Sequence, residues 1–306
     1  MCRGSRSSCP PVLFSNTSLE GDRMRRKVPI ILIFLLFAVG VVILLYPLIS
    51  EWHNSRAQTT VIENYIHAVT GLSEAEFEDL RQAAREYNEG LLGSVVLTDP
   101  FDASAAKMAS EEYEALLNIG GDGVMGTVRI PKIGVELPIY HGTATETLEK
   151  GAGHLENTSL PIGGMGTHAV LSAHSGLPAA ALFTDLTKLA EGDLFFLDVL
   201  DETLAYRVDQ VKVVEPEDTS DLWIDTNADH VTLVTCTPYG INSHRLLVRG
   251  VRTEYAETLE QEAQAEQTPG SPWNKPYTAA GMILILLLVL HTIVRLLKRK
   301  KGRAFL

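Results

Sequence analysis

The residues with the clearest chemical potential lie in HVTLVTCTPYGINSHRLLVRG, residues 230–250. Val231 to Cys236 is a β-branched run that reads as a strand. TPYGINSH supplies Pro, Gly and Asn for a loop, and RLLVRG begins a second strand. A hairpin closed by this loop brings Cys236, at the end of one strand, beside Arg245 at the start of the next. A guanidinium next to a thiol favours the thiolate and can stabilise the oxyanion formed when that thiolate attacks a carbonyl. A lone cysteine at a strand end can equally be a small buried hydrophobe, with Arg245 a surface charge. A cysteine nucleophile also needs a base. The candidates are His141, His154, His168, His174, His230 and His244, and spacing alone does not choose among them. The other cysteines, Cys2 and Cys9, sit in a polar leader, so three cysteines build no disulfide framework. With no CxxC or HxxxH spacing, no metal and no cofactor is expected.

Cys236 belongs to a strand-rich stretch. VMGTVRI from Val124, VELPIY from Val135, HAVLSAH from His168, DLFFLDVL from Asp193, TLAYRVDQVKVVEP from Thr203, HVTLVTC from His230 and RLLVRGVRTE from Arg245 are short β-rich runs set apart by Gly, Pro and Asp. Seven or eight strands within about 130 residues, interrupted by one helical insertion near 179–189, predict a closed or nearly closed β-barrel. Strands that do not alternate with helices disfavour a parallel α/β fold. Upstream the pattern is helical. Ser73 reads as an N-cap with Glu76 completing a capping box, followed by Phe77, Leu80, Ala84 and Tyr87 on one face up to Gly90. Helical patterning also covers 61–69 and 111–117, and LTDPFDAS joins the helical part to the barrel.

Charge is partitioned sharply along the 306 residues, whose net charge is −12. PIILIFLLFAVGVVILLYPLI, residues 29–49, is a 21-residue run without a formal charge, long enough to cross a hydrocarbon core of about 30 Å. TAAGMILILLLVLHTIV, residues 278–294, is a second run of 17, extended by Leu296 and Leu297 if Arg295 snorkels. Arg23, Arg25, Arg26 and Lys27 precede the first run; Arg295, Lys298, Arg299, Lys300, Lys301 and Arg303 follow the second. The positive-inside rule puts both clusters in the cytoplasm and residues 51–277 across the membrane. That middle segment holds 14 Lys+Arg against 36 Asp+Glu, a net of −22, and an acidic surface argues against a nucleic-acid partner. Export also bears on Cys236, because an unused thiol in an oxidising compartment is a liability. An uncleaved anchor suits the length of the first run better than a signal peptide does.

Three blocks of this sequence resemble a known family. TLVTC (Thr232 to Cys236) with TPYGINSHRLLVRG looks like the active-site signature of the sortases, cysteine transpeptidases of Gram-positive bacteria. LSAHSGLPAAALFTDL (Leu171 to Leu186) looks like the segment carrying that family's catalytic histidine, departing from it at Ala173 and Ser175. LPIYHGTATETLEKGAGHLENTSLPIGG (Leu137 to Gly164) resembles the class C, pilus-assembling branch. The resemblance covers about 124–253 and implies a nucleophile at Cys236, a general acid and base at His174, and an oxyanion or substrate contact at Arg245. It also implies that Asp99, Pro100 and Phe101 form the tip of a lid at about 97–103, with Asp99 on Arg245 and Phe101 over the sulfur. Read from composition alone, the same three residues are an ordinary Asp-Pro turn.

The organisation expected is a cytoplasmic leader (1–28), a transmembrane anchor (29–50), a helical extension with lid (51–123), a mainly β, sortase-like closed barrel of about eight strands (124–254), a linker (255–277), a second transmembrane helix (278–297) and a basic cytoplasmic tail (298–306). The expected partners are LPXTG-bearing pilin or surface proteins, a lysine amine acceptor on a pilin, and membrane lipid. The expected place is the plasma membrane of a Gram-positive bacterium, with the catalytic domain on the extracellular face. Three other readings compete: a sortase that anchors surface proteins to peptidoglycan, an L,D-transpeptidase, and a non-catalytic surface module. An L,D-transpeptidase motif, SxGC followed shortly by Arg, does not fit TLVTC with its Arg nine residues on.

Overall fold

The computed structural model describes residues 17–91, 97–102, 110–177 and 180–256, with isolated positions beyond. Eight strands close into a barrel with the hydrogen-bonded order β1-β2-β3-β4-β7-β8-β6-β5. They are β1 (Val124–Ile130), β2 (Val135–His141), β3 (Ala152–His154), β4 (Thr167–Ser172), β5 (Leu194–Val199), β6 (Glu202–Val214), β7 (Asp229–Thr237) and β8 (His244–Thr253). Seven of these were legible as alternating or β-branched runs. The eighth, β3, is three residues long and carries no pattern of its own. It passes so close to the preceding loop that a Cβ on Gly153 would collide with the Gly142 carbonyl oxygen.

Two pairings are parallel, β2 with β3 and β4 with β7. The rest are antiparallel, including the β7–β8 hairpin predicted from the TPYGINSH loop. Strand period sorts the side chains. On β7, Val231 and Leu233 enter the barrel core with Leu171, Phe195, Leu197, Tyr206 and Val248. Val234 faces the other way, into a second apolar cluster with Leu155, Val170, Val214, Leu222 and Leu247. The helical insertion expected near 179–189 reduces to a 3-10 turn at Thr184–Lys188, with residues 178–179 outside those described.

Among the described residues the α-helices are α1 (Thr17–Thr70), α2 (Glu74–Gly90), α3 (Glu111–Ala115) and α4 (Thr145–Leu148). The capping box of α2 is present: Ser73 Oγ accepts from the Glu76 backbone N–H, and Glu76 Oε2 accepts from the Ser73 backbone N–H at 2.7 Å. Phe77 and Ala84 on its apolar face join the barrel core. Asn88 exchanges two hydrogen bonds with the Leu160 backbone, at 2.7 and 3.3 Å. Contacts divide the chain into two units, Met1–Tyr46 and Pro47–Leu306, and α1 contributes to both. Among the described residues no single helix is long and apolar enough to cross a membrane, although Leu35–Ile43 and Leu45–Thr70 pass that test as a broken pair. The first expected span therefore lies within α1 without being established as one. The second, 278–297, lies outside the described residues but for isolated positions.

Within the second unit the Tyr65 phenol ties α1 to the barrel, alongside Val69 in the core and a Gln58 Nε2 hydrogen bond to the Lys150 carbonyl at 3.0 Å. Tyr65 Oη accepts from the Leu200 backbone N–H at 2.9 Å and donates to the Met125 carbonyl at 3.2 Å. Burial, helped by the nearby carboxylates of Asp198 and Asp201 and opposed by the Leu200 hydrogen bond, pushes its pKa up to about 12, so it stays protonated and can donate. Tyr65→Phe strands both backbone groups and should lower unfolding stability by about 1–3 kcal/mol; denaturant titration of the variant checks this, and an unchanged midpoint at constant slope would refute the tie.

Candidate active site

The neighbours of β7 assemble the site. In the β7–β8 ladder Cys236 stands directly opposite Arg245. On the other side of β7 the parallel ladder pairs Ser172 with Val234. The alignment continues past the end of β4: the Ala173 N–H donates to the Val234 carbonyl at 3.2 Å, and Thr235 Oγ1 donates to the Ala173 carbonyl at 2.7 Å. Two residues on from that pair, His174 and Cys236 occupy corresponding places. Continued two residues past the end of β4, the register puts His174 in one row with Cys236 of β7 and Arg245 of β8, on the outer face of the sheet that also bears Val170, Val234 and Leu247.

The parallel register places one histidine of the six in this row. His154 is fully buried under α3, with Nδ1 2.8 Å from Tyr113 Oη and Nε2 2.8 Å from the Ser159 carbonyl; burial pushes its pKa down to about 4. His168 lies between the Trp223 carbonyl and Thr232 Oγ1 and is likewise pushed down to about 4 by burial. His141 faces the carbonyls of Gly123 and Leu116. His230 approaches Asp209 at 4.0 Å, and His244 lies 3.2 Å from Glu215. His174 alone of the six is in the row with Cys236. Its loop is held from behind: the Gly176 N–H donates to Thr184 Oγ1 at 2.9 Å. At Gly176, with φ +77°, a Cβ would sit 2.9 Å from the Tyr239 ring of the β7–β8 loop.

The turn at Asp99 closes over this row. Asp99 grips Arg245 bidentately, Nε to Oδ1 at 2.8 Å and Nη2 to Oδ2 at 2.5 Å, while Arg245 Nη1 donates to the carbonyls of Asn242 and His244. Both partners are largely withdrawn from solvent, at 11% and 13% side-chain exposure. Such a fork-to-fork geometry is among the stronger polar contacts a protein makes. Phe101 lies against His174, ring centroids 5.7 Å apart, and under the Arg245 guanidinium at 5.1 Å. Pro100 is buried, and the Phe101 N–H donates to Asp99 Oδ1 at 3.3 Å, so the turn is self-braced. The Asp-Pro turn of the bare sequence thus contacts two of the three residues of the row, Arg245 and His174. Leu97, which sequence reasoning did not single out, packs with Phe101 on the outer apolar cluster. Nothing short of coordinates could have assigned that contact. Residue 103, at the end of the expected lid, lies outside the described residues.

Closure sets the protonation of the pair. Cys236 is buried, and among the described residues it is a free thiol. Burial raises its pKa and Asp99 adds to that, while Arg245 pulls it down without cancelling the rise. Burial also lowers His174, against a weaker pull from Glu149. Both shifts favour the uncharged forms, thiol and imidazole. Burial works against the charge of Arg245, but Asp99 outweighs it.

Comparison with known proteins follows the same lines. Residues 128–253 match a family model described as Sortase domain. The chain is 32% identical over 158 residues to "Sortase D" of Bacillus subtilis, covering 50% of this chain and 77% of that protein. Among solved structures it resembles sortase C-1 from Streptococcus pneumoniae with a TM-score of 0.61 at 50% identity, covering 64% of this chain and all (100%) of the other. It also resembles a structure titled pilus-related sortase C of Group B Streptococcus, with a TM-score of 0.58 at 44% identity, covering 63% and 97% of the two chains.

The electrostatics of the row make a signed prediction. Asp99→Ala removes a carboxylate that raises the Cys236 pKa and leaves the Arg245 charge uncompensated beside the sulfur. The midpoint of the pH profile for Cys236 alkylation should therefore move to lower pH. A rate profile with iodoacetamide measures it; a midpoint that stays put or rises contradicts the assignment, whatever happens to the plateau.

Proposed function

Because this chain belongs to the sortase family of cysteine transpeptidases, we propose that it is a pilus-assembling member whose reaction runs through Cys236. Its substrate would be an LPXTG-type sorting signal on a pilin or surface protein, cut between Thr and Gly. The single observation that carries this reading is the row of His174, Cys236 and Arg245 beneath Asp99 and Phe101, since a lid on the site fits the class C branch to which the structural neighbours' titles point.

The chemistry follows from the row. Displacing Asp99 and Phe101 uncovers the sulfur and frees Arg245. The Cys236 thiolate then attacks the threonine carbonyl carbon, forming a C–S bond while the carbonyl electron pair moves onto oxygen. Arg245, no longer paired with Asp99, has donors free for that oxyanion. Collapse breaks the C–N bond, and His174 in its imidazolium form gives its proton to the departing glycine nitrogen. The product is a thioester on Cys236. In the second half a lysine amine of another pilin attacks that thioester, neutral His174 takes the proton from the attacking nitrogen, and the C–S bond breaks to return the thiolate. The result is an isopeptide bond. Catalysis requires the thiolate–imidazolium form, a minority species in the closed site, so a pH–rate profile would report the coupled pair.

The apolar run at 29–49 and the basic residues flanking it and the C-terminal run support a membrane setting. In this reading residues 51–277 face outward from a Gram-positive plasma membrane, with both termini cytoplasmic.

Two measurements test the proposal. Incubating the protein with an LPXTG-type peptide and a candidate pilin should yield a Cys236 acyl adduct and an isopeptide product by mass spectrometry. Cys236→Ala should abolish both while leaving the thermal unfolding profile intact. Transfer to a wall precursor instead of a pilin lysine would favour the peptidoglycan-anchoring alternative, and no adduct on Cys236 would remove the enzymatic reading. Separately, Asp99→Ala combined with Phe101→Ala should raise turnover of the peptide. Charged hydrogen bonds contribute about 1.5–3 kcal/mol, equivalent to roughly 10- to 100-fold in the closed-to-open equilibrium. Unchanged turnover would sink the lid.

A further inference from the structure

Strand β4 alternates cleanly. Ala169, Leu171 and Ala173 enter the barrel core, while Val170 belongs to the outer apolar cluster and His174 to the row with Cys236. Ser172 falls between Val170 and His174 on that outer face. Its side chain is buried at 0% exposure, and among the described residues its hydroxyl oxygen has no hydrogen-bond partner. Nearby hydroxyls differ: Thr235 Oγ1 donates to the Ala173 carbonyl, Thr158 Oγ1 to the Leu155 carbonyl, and Thr232 Oγ1 meets His168 Nε2. A buried hydroxyl without a partner is costly and rare, so it calls for an explanation.

The lid supplies one. Phe101 lies against His174, one step beyond Ser172, and with Leu97 it packs on the cluster containing Val170, one step before. Lid side chains thus lie at the positions on either side of the hydroxyl along this face, and they are apolar and offer it no bond. A peptide that replaces the lid brings main-chain groups to the same place. Ser172 pairs with Val234, two residues back along both strands from the His174–Cys236 row, which at strand rise is about 6.5 Å. A sorting signal with its scissile carbonyl at Cys236 and its apolar Leu on the cluster would run over Ser172 in extended form.

We propose that Ser172 is a substrate-binding residue whose hydroxyl donates a hydrogen bond to a main-chain carbonyl of the acyl half of the sorting peptide, within about two residues of the cleaved bond. The inference rests on the function proposed above. It adds a contact that reads peptide backbone and leaves side-chain choice to the cluster.

The test uses the full chain in detergent with the lid opened by Asp99→Ala and Phe101→Ala, compared with the same protein carrying Ser172→Ala, Ser172→Thr or Ser172→Val. Thr and Val have the same shape and differ by the hydroxyl, so their comparison cancels the effect of side-chain size. Ser172→Ala and Ser172→Val should lower kcat/KM for an LPXTG-type peptide by roughly 3- to 10-fold, and Ser172→Thr should stay above Ser172→Val by a similar factor. Alkylation of Cys236 by iodoacetamide, which needs no peptide backbone, should stay within about 2-fold throughout, as expected if a neutral hydrogen bond to substrate alone is lost. With the lid intact, Ser172→Ala should unfold at the same temperature as the parent or higher, because it deletes an unpartnered buried hydroxyl. Equal kcat/KM for the Thr and Val variants overturns the proposal. So does alkylation that falls in step with cleavage, which would place the hydroxyl's effect on the thiol, or a lowered unfolding temperature in Ser172→Ala, which would reveal a partner in the closed state. A lid-opened parent that alkylates normally but cleaves no sorting peptide overturns the proposed function itself and this inference with it, a result distinct from failure at Ser172 alone.

Discussion

Everything distinctive about the site depends on β7 having β4 parallel on one side and β8 antiparallel on the other. That arrangement brings a histidine, a cysteine and an arginine from three separate stretches of chain into one row. Side chains alternate along a strand, so a slip of one residue in either pairing would turn Cys236 or its partner into the barrel core. What resists a slip is the inner face: Leu171, Leu233 and Val248 are all fully buried there. The core thus determines the geometry of the outer face without touching it. β5 and β6 close the barrel behind, so β4 and β7 can be adjacent although the whole far wall is built between them in sequence.

On that outer face one charge organises the rest. Arg245 is nearly buried beside a thiol and needs a counter-charge. Asp99 provides it with both oxygens, and the apolar side chains two residues to either side, Leu97 and Phe101, seat the turn on the sheet. The turn holds because its polar and apolar contacts are made at once. The Asp-Pro turn sets their spacing, and Phe101 bonds back to Asp99 through its own N–H.

How much of this was legible in the sequence depended on whether the signal was local. The β7–β8 hairpin was readable because a β-branched run, a loop rich in turn formers and a second strand follow one another directly, and the Cys236–Arg245 pairing came with it. The capping box at Ser73 and Glu76 was readable for the same reason. The choice of His174 was not readable from spacing, because it depends on a parallel pairing between segments 62 residues apart; only the family resemblance pointed there. β3 is too short to show a pattern, and the supposed helical insertion is a 3-10 turn. Alternation along HAVLSAH places Ser172 on the histidine's face, but only coordinates show that its hydroxyl lacks a partner.

The closed lid acts on protons as well as on access. Burial raises the thiol and lowers the imidazole, so the two groups are driven away from the thiolate–imidazolium form together. Asp99 strengthens the effect by adding negative charge beside the sulfur and by occupying the guanidinium that would otherwise favour a thiolate. In the proposed open state each contribution would reverse: solvent would reach both groups, the carboxylate would leave, and Arg245 would be left with an unmet charge on the row. In the proposed reaction the next negative charge to appear there would be the thiolate, and after it the oxyanion. Arg245 would therefore pass from one anionic partner, Asp99, to another, so that the ion pair seen here would leave its cation poised for the chemistry.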